Sequence, residues 1–331
     1  MKVKVSELRK LVTEKLEQKG YTESDIPFII DMFLGGELRG HVSHGLASLP
    51  AFLKKDFAHM TKPGILLKTA SSTYIDAQAN SGNVIGRELA DVAITHAKNE
   101  LIGFVLIRNM DSWLRPGALA EYIAKQGYIA YVSNSGGEAS IAPPGGYDPV
   151  AGTNPIAYGI PTETEPLVVD IATSKHAKGQ IRLANKYGTK LPEDSFYDDT
   201  GTITIEPSKA YSLLSFGEHK GFSLALLGEI LCNSLVGMPM MIEGDPSNQS
   251  YGGITPKRGA YILVIDPSKT IGLDDFKHSN SQYLERIRAT RPRTGEKIRI
   301  PGEQAAIKAT AAITNDILEI PDELWDELQL L

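Results

Sequence analysis

The apolar positions of the first seventy residues recur at helical spacing. Leu8, Leu11, Val12 and Leu16 fall on one face of a helix, and Gly20 can end it because glycine accepts the left-handed cap. A second helix is expected from about Ser24 through Phe33 and Leu34, stopping at Gly35-Gly36; a third should carry Leu49, Phe52, Leu53 and Phe57. From about Ser72 the period changes. Short apolar runs at Gly103–Ile107, Tyr128–Ser133, Ile156–Ile160, Leu167–Ile171 and Ala260–Ile265 predict strands, and Arg87–Lys98 and Ala118–Gln126 predict helices. Such alternation predicts an α/β or mixed sheet layered with helices. Residues Tyr187–Phe216 read as loop, with a turn at Asp198-Asp199-Thr200-Gly201, and the tail returns to helix at Glu303–Asn315 and Asp322–Leu330. The longest apolar stretch, Gly221 to Met241, is interrupted by Glu229, Asn233 and Pro239, so it predicts a buried helix rather than a membrane span.

Composition narrows the class. The 331 residues are 42% hydrophobic and 22% charged, enough for a sizeable core and, on length, about two domains. Thirty-four Lys and Arg against forty Asp and Glu leave a net charge of −6, with no basic run, which argues against a nucleic-acid partner. The N-terminal stretch is polar and amphipathic without an apolar signal core, so the expectation is a soluble, cytoplasmic protein. The single cysteine, Cys232, rules out an intramolecular disulfide and any multi-cysteine metal site; no metal is expected. No two of the 31 glycines are separated by one residue, so the G-x-G of a Rossmann fingerprint is missing. The phosphate-loop, nucleophile-elbow and H-E-x-x-H zinc motifs are missing as well.

Three segments are dense in residue types that chemistry uses. Arg39-Gly40-His41-Val42-Ser43-His44-Gly45 can present an imidazole whose ordinary pKa suits proton exchange near neutrality. The same residues also read as a helix cap by Ser43 with His44 on the surface. Ser133-Asn134-Ser135-Gly136-Gly137, Pro143-Pro144-Gly145-Gly146 and Gly152-Thr153-Asn154-Pro155 read either as an anion cradle or as tight turns. Asp170-Ile171-Ala172-Thr173-Ser174 closes a strand, where ligand crevices form, or caps a helix. His219-Lys220-Gly221 opens the apolar helix and can meet a phosphate or simply solvent.

Taken in order, RGHVSHG, Arg108-Asn109, SNS, PPGG, GTNPIA, VVDIATS, HKG and Pro301-Gly302-Glu303 resemble the malate/L-lactate/L-sulfolactate dehydrogenase family over nearly the whole chain. The segment RNMDSWLRPG is most similar to the 2,3-diketo-L-gulonate reductase branch, through Trp113 and Arg115. The resemblance implies a non-Rossmann, mixed-sheet NAD(P)-binding domain over residues 71–274, beside a helical domain from residues 1–70 with 275–331, and a homodimer. It implies a small carboxylate substrate (a 2-oxo acid, sugar acid or cyclic imine), NAD or NADP as cofactor, and no membrane partner. His44, beside Ser43, matches the proton donor to the reduced carbonyl or imine. Cofactor contacts carry over onto Val169, Asp170, Ile171, Ala172 and Thr173, onto His219 and Lys220, and onto Gly302, Glu303 and Gln304.

Two positions depart from the family pattern. Ser112 stands where many members carry a second histidine, and Ser48 where many carry an arginine. These losses weaken the case for a compact 2-oxo dicarboxylate, with Arg115 able to supply the missing charge through its bidentate guanidinium. They also motivate an alternative: a degenerate member that binds nucleotide or ligand without turnover. An obligate structural subunit has no positive feature in the sequence.

Overall fold

The computed structural model describes residues 1–240 and 258–331. The chain opens with the short strand β1 (Lys2–Val3), then α1 (Val5–Gln18), α2 (Ile26–Leu38) and the single-turn α3 (Leu49–Leu53). Leu8, Val12 and Leu16 form the buried stripe of α1, whereas α2 is buried on nearly every side. Phe57 falls in a separate 3₁₀ turn beyond α3.

Two strands follow that the hydrophobic pattern did not predict, β2 (Gly64–Lys68) and β3 (Ser72–Asp76). Ile65, Leu66 and Leu67 are consecutive and all exposed, so β2 has none of the alternation that marks a half-buried strand. It is an edge, paired on one side to β3. The helix α4 (Gly82–Glu100) crosses from β3 to its parallel neighbour β4 (Ile102–Met110). Ser81 caps α4, its Oγ accepting the Asn83 N–H. Gly103 is required where α4 lies on β4: a Cβ there would overlap the Ala93 carbonyl oxygen.

After α5 (Pro116–Lys125) come β5 (Ile129–Asn134), β6 (Ile156–Ile160), β7 (Leu167–Ile171), α6 (Gly179–Tyr187), the small pair β8 (Phe196–Tyr197) and β9 (Ser212–Leu213), and α7 (His219–Glu229). The strand β10 (Arg258–Ile265) returns to the centre of the sheet, whose order is β2-β3-β4-β10-β5-β6-β7. Every neighbouring pair is antiparallel except β3–β4, so the sheet is mixed, as the alternating pattern predicted. Val105, Ile107, Ala130, Val132, Ile262 and Val264 alternate inward on its central strands. The chain closes with α8 (Leu273–Arg288), α9 (Glu303–Asn315), β11 (Leu318–Glu319) and α10 (Asp322–Leu330). The ends meet: β11 pairs with β1, and the Met1 amino group reaches the Asp322 carboxylate at 2.6 Å. One hydrophobic core runs from α1 and α2 through the sheet to α10; a smaller one, around Phe196 and Leu213, supports residues 141–225.

The apolar stretch expected to be a buried helix is half correct. It forms α7 and a wider π turn over Ile230–Ser234, with Met241 outside the described residues. Leu226, Leu227, Ile230 and Leu235 face outward at 45–53% exposure. The inner face is small and polar instead, because Glu229 accepts hydrogen bonds from the Gly152 N–H and from the amides of Asn154 and Asn233. Among the described residues, no helix is long and apolar enough to cross a membrane, and no group of three or more His, Cys, Asp or Glu side chains could hold a metal.

Candidate active site

Beyond α2 the chain turns at Gly40, whose φ of +82° suits glycine, into two 3₁₀ turns, Val42–His44 and Leu46–Ser48. This loop lies directly on α2. A Cβ at Gly36 would stand 2.8 Å from the His44 carbonyl oxygen, and one at Gly45 would be 2.9 Å from the Glu37 nitrogen. The Glu37 carboxylate, deeply buried, accepts the Leu46 N–H at 3.0 Å. His44 therefore sits on a fixed platform. Ser43 caps no helix; its Oγ lies 2.8 Å from His44 Nδ1.

Burial pushes the Glu37 carboxyl up to about 7, against the opposing pull of the Leu46 N–H. A carboxyl whose folded pKa exceeds its unfolded value of 4.5 contributes stability below pH 4.5 that is lost as pH rises through about 7. Glu37→Gln keeps an acceptor for Leu46 and removes the titration. Urea melts should show the variant gaining on the wild type between pH 5 and pH 8, by roughly 2–3 kcal/mol. A gap independent of pH would place the titration elsewhere.

The second wall comes from β7 and the start of α5. Asp170, at the carboxyl end of β7, accepts the Gly117 N–H at 3.0 Å, so it caps α5 rather than the helix that follows it in sequence. Arg115 precedes that helix and is buried, with no partner for its Nε among the described residues. Burial and the neighbouring Arg39 push its guanidinium down to about 10, while Asp170 and Glu121 pull the other way. Burial likewise raises the Asp170 carboxyl, opposed by Arg115 and the Gly117 N–H.

A third wall is built by loops. Asn134 is held by Trp113, whose buried indole donates to Asn134 Oδ1 at 2.7 Å. Gly136 donates to Asn154 Oδ1, and a Cβ on Gly136 would crowd the Thr153 nitrogen at 2.5 Å. The small residues here are thus needed for two loops to cross. Gly145, by contrast, sits in an open turn, with nothing within 4 Å of where a Cβ would stand.

These walls enclose a cavity of about 1300 Å³, lined by Ser43, His44, Arg115, Asp170, Ile171 and Ala172 among others. Val169 points away into the protein and Thr173 is fully buried, its N–H and Oγ1 both donating to the Thr153 carbonyl. His219 and Lys220 are exposed at the start of α7 and do not line the cavity; they touch its wall through Gly221, which packs on the Thr173 carbonyl. Gly302 packs on the Val168 backbone, Glu303 pairs with Arg288 at 2.9 Å, and Gln304 is exposed, all outside the cavity.

Sequence reasoning missed two arginines. Arg182, on α6, reaches the Ser43 carbonyl at 3.5 Å, and Arg258, at the start of β10, donates to Ser112 Oγ at 3.2 Å. Both line the cavity. Neither belongs to a motif, and nothing in the local pattern distinguishes them from surface cations. Burial, then Arg182, Arg258 and Arg115 in that order, hold the His44 imidazole below its ordinary pKa. His41, also in the wall, is pushed down to about 4 by burial first, then by Arg115, His44, Arg39 and Lys308. The lining carries six Lys and Arg against three Asp and Glu, a positive pocket in a chain of net charge −6.

A profile of the family described as malate/L-lactate dehydrogenase matches residues 3–329. The chain belongs to that family. It is 29% identical to the malate/(S)-sulfolactate dehydrogenase of Methanothermus fervidus, over 99% of each chain, and 26% identical to the 2,3-diketo-L-gulonate reductase of Klebsiella pneumoniae over the full length of both. The solved sulfolactate dehydrogenase of Methanocaldococcus jannaschii superposes with a TM-score of 0.86 at 28% identity, over 100% of this chain and 96% of that one. This member of the malate/L-lactate dehydrogenase family is an oxidoreductase, and the missing G-x-G and the mixed sheet agree with one another.

Proposed function

We propose that the protein interconverts a small 2-oxo acid and its 2-hydroxy acid with NAD or NADP, and that His44 carries the proton. The observation that supports this most directly is His44 facing one cavity together with Arg115 and the carboxyl end of β7. The cavity suits a dinucleotide: about 1300 Å³ exceeds the roughly 300–1,000 Å³ of a pocket for one small ligand, and its cationic excess suits a diphosphate. Ile171 and Ala172 line it and are the strongest candidates for cofactor contact. Val169, Thr173, His219, Lys220, Gly302, Glu303 and Gln304 remain in the proposal only as supports behind the wall or contacts made on assembly.

When bound, the reduced nicotinamide supplies the hydride to the carbonyl carbon. The chain's own groups do the rest. Arg115 takes the substrate carboxylate, which a guanidinium binds through two parallel hydrogen bonds. Asp170 and the α5 N-terminus hold that arginine's neighbourhood in place. His44 gives its proton to the substrate oxygen as negative charge develops there, and Ser43, on its Nδ1, orients the ring. In the oxidative direction the neutral imidazole accepts the same proton. Assembly as a homodimer belongs to this reading, with the exposed apolar face of α7 as a surface such an interface would cover. The terminal helices, residues 1–70 with 275–331, form the second domain in it.

The test is a panel of oxaloacetate, sulfopyruvate, 2,3-diketo-L-gulonate and Δ1-piperideine-2-carboxylate with each reduced nucleotide, followed by nicotinamide absorbance. At least one acid should be reduced, and its hydroxy acid oxidised in reverse. Nucleotide binding by calorimetry with no turnover across the panel would instead favour the binding-only alternative.

A further inference from the structure

Positions 48 and 112, both in the cavity lining, are serines and carry no charge, yet the cavity is not short of cations. Arg258 enters it from β10, an element with no motif, and rests on Ser112. Gly137 makes room for it: φ there is +87°, and a Cβ would overlap the guanidinium. Its Nε is shielded from solvent and has no hydrogen-bond partner among the described residues.

The carboxylates around Arg258 do not use up its charge. Asp111 and Glu138 are its charged neighbours, but Asp111 pairs with Lys55 at 2.9 Å and Glu138 with Lys178 at 3.1 Å. No carboxylate lies within ion-pair distance of Arg258 among the described residues. Arg115 is in the same condition at the other wall, with its Nε bare and Asp170 engaged by the Gly117 N–H. The charged neighbours of Arg115 are Arg39, Asp170, Glu121 and Asp31, none of them shared with Arg258. His44 feels both arginines. The cavity therefore holds two separate half-used guanidiniums and one imidazole within reach of both fields.

We propose that Arg258 is the specificity-determining residue of this enzyme: seated on Ser112, it binds a second anionic group of a 2-oxo acid whose first carboxylate is held at Arg115. This rests on the reductase reading of the site. A monoanionic acid leaves Arg258 desolvated and unpaired, and such a loss discriminates more strongly than a change of shape. The rival occupant of Arg258 is the diphosphate of the nucleotide, which the test separates.

The probes are malate, a dianion, and lactate, a monoanion, titrated by calorimetry into enzyme loaded with NADH, which can reduce neither. The wild type should hold malate more tightly. Arg258→Met should weaken malate by about tenfold or more and lactate by less than about threefold, the behaviour of a lost charge-assisted contact. NADH affinity and Tm should stay unchanged, and Arg258→Lys should restore part of the malate affinity. In turnover the loss should appear with oxaloacetate in KM rather than kcat. Ser112→Ala and Gly137→Ala, which disturb the seat and not the charge, should shift malate in the same direction and keep the question open to measurement if Arg258→Met does not fold. Equal weakening of malate and lactate, loss of NADH affinity, or no change in either acid would overturn the assignment, as would a wild type that binds neither acid. Arg258-dependent malate binding without any turnover would leave Arg258 in place and sink the reductase reading alone.

Discussion

His44→Ala is expected to slow reduction of the 2-oxo acid by roughly 10²–10⁴-fold, the range that a positioned general acid contributes, with nucleotide affinity unchanged. The argument rests on geometry first: the ring faces the cavity, and its Nδ1 is engaged by Ser43, which leaves Nε2 for the substrate. The surrounding charge then sets a pH signature. Burial and three arginines hold the imidazole below its ordinary value of 6.5, so at neutral pH the free enzyme carries the base form. Hydroxy-acid oxidation, which needs the base, should have a kcat/KM that rises with pH and levels off below pH 6.5. Reduction, which needs the imidazolium, should have a kcat/KM that rises as pH falls toward the same depressed pKa. Anions arriving at the arginines offset their field, so the kcat limb should lie at higher pH than the kcat/KM limb. A profile flat from pH 4 to 8, or an unchanged limb in His44→Ala, would remove His44 from proton transfer.

Arg115→Met is expected to lower kcat/KM by roughly a hundredfold, about 3 kcal/mol, through loss of a buried charge that the substrate carboxylate pairs. The larger part should fall on KM. The substitution also removes a cation that opposes the burial of Asp170, so the Asp170 carboxyl should rise further and become neutral at lower cost. The Tm should therefore fall more at pH 8 than at pH 5, because protonation progressively relieves the unpaired buried carboxylate as pH falls. Steady-state kinetics on one acid, with melting curves at the two pH values, separates the roles. A variant with unchanged KM for every acid reduced by the wild type would show that the carboxylate binds elsewhere.

Much of the scaffold was legible because its signals are local. The strands β6 and β7 and the helices α9 and α10 lie where apolar runs and periodicity put them. The edge strand β2 was not, since three adjacent exposed apolar residues carry no period, and what makes them a strand is the backbone of β3. The buried-helix expectation for residues 221–241 held only in part, for a similar reason. Hydropathy registers that Leu226 and Leu227 are apolar, but it does not register that Glu229 and Asn154 occupy the inner face.

At the site, the residues of RGHVSHG and VVDIATS could be found because glycines, a histidine pair and a strand end sit close together in the chain. Their electrostatics could not. Arg115, Arg182 and Arg258 come from three elements separated by some seventy residues each, and an isolated arginine carries no local signal of burial.

By itself, the sequence determined the layered mixed architecture, the family, the lack of a Rossmann turn and the loop whose imidazole lines the cavity, because each depends on spacing within segments and on their order along the chain. Only the tertiary structure decided that Asp170 caps α5, that Ser112 seats Arg258, and that a chain of net negative charge encloses a positive cavity. Those are properties of distances between residues far apart in the chain, and Coulomb and hydrogen-bond energies depend on distance through space, not along the backbone.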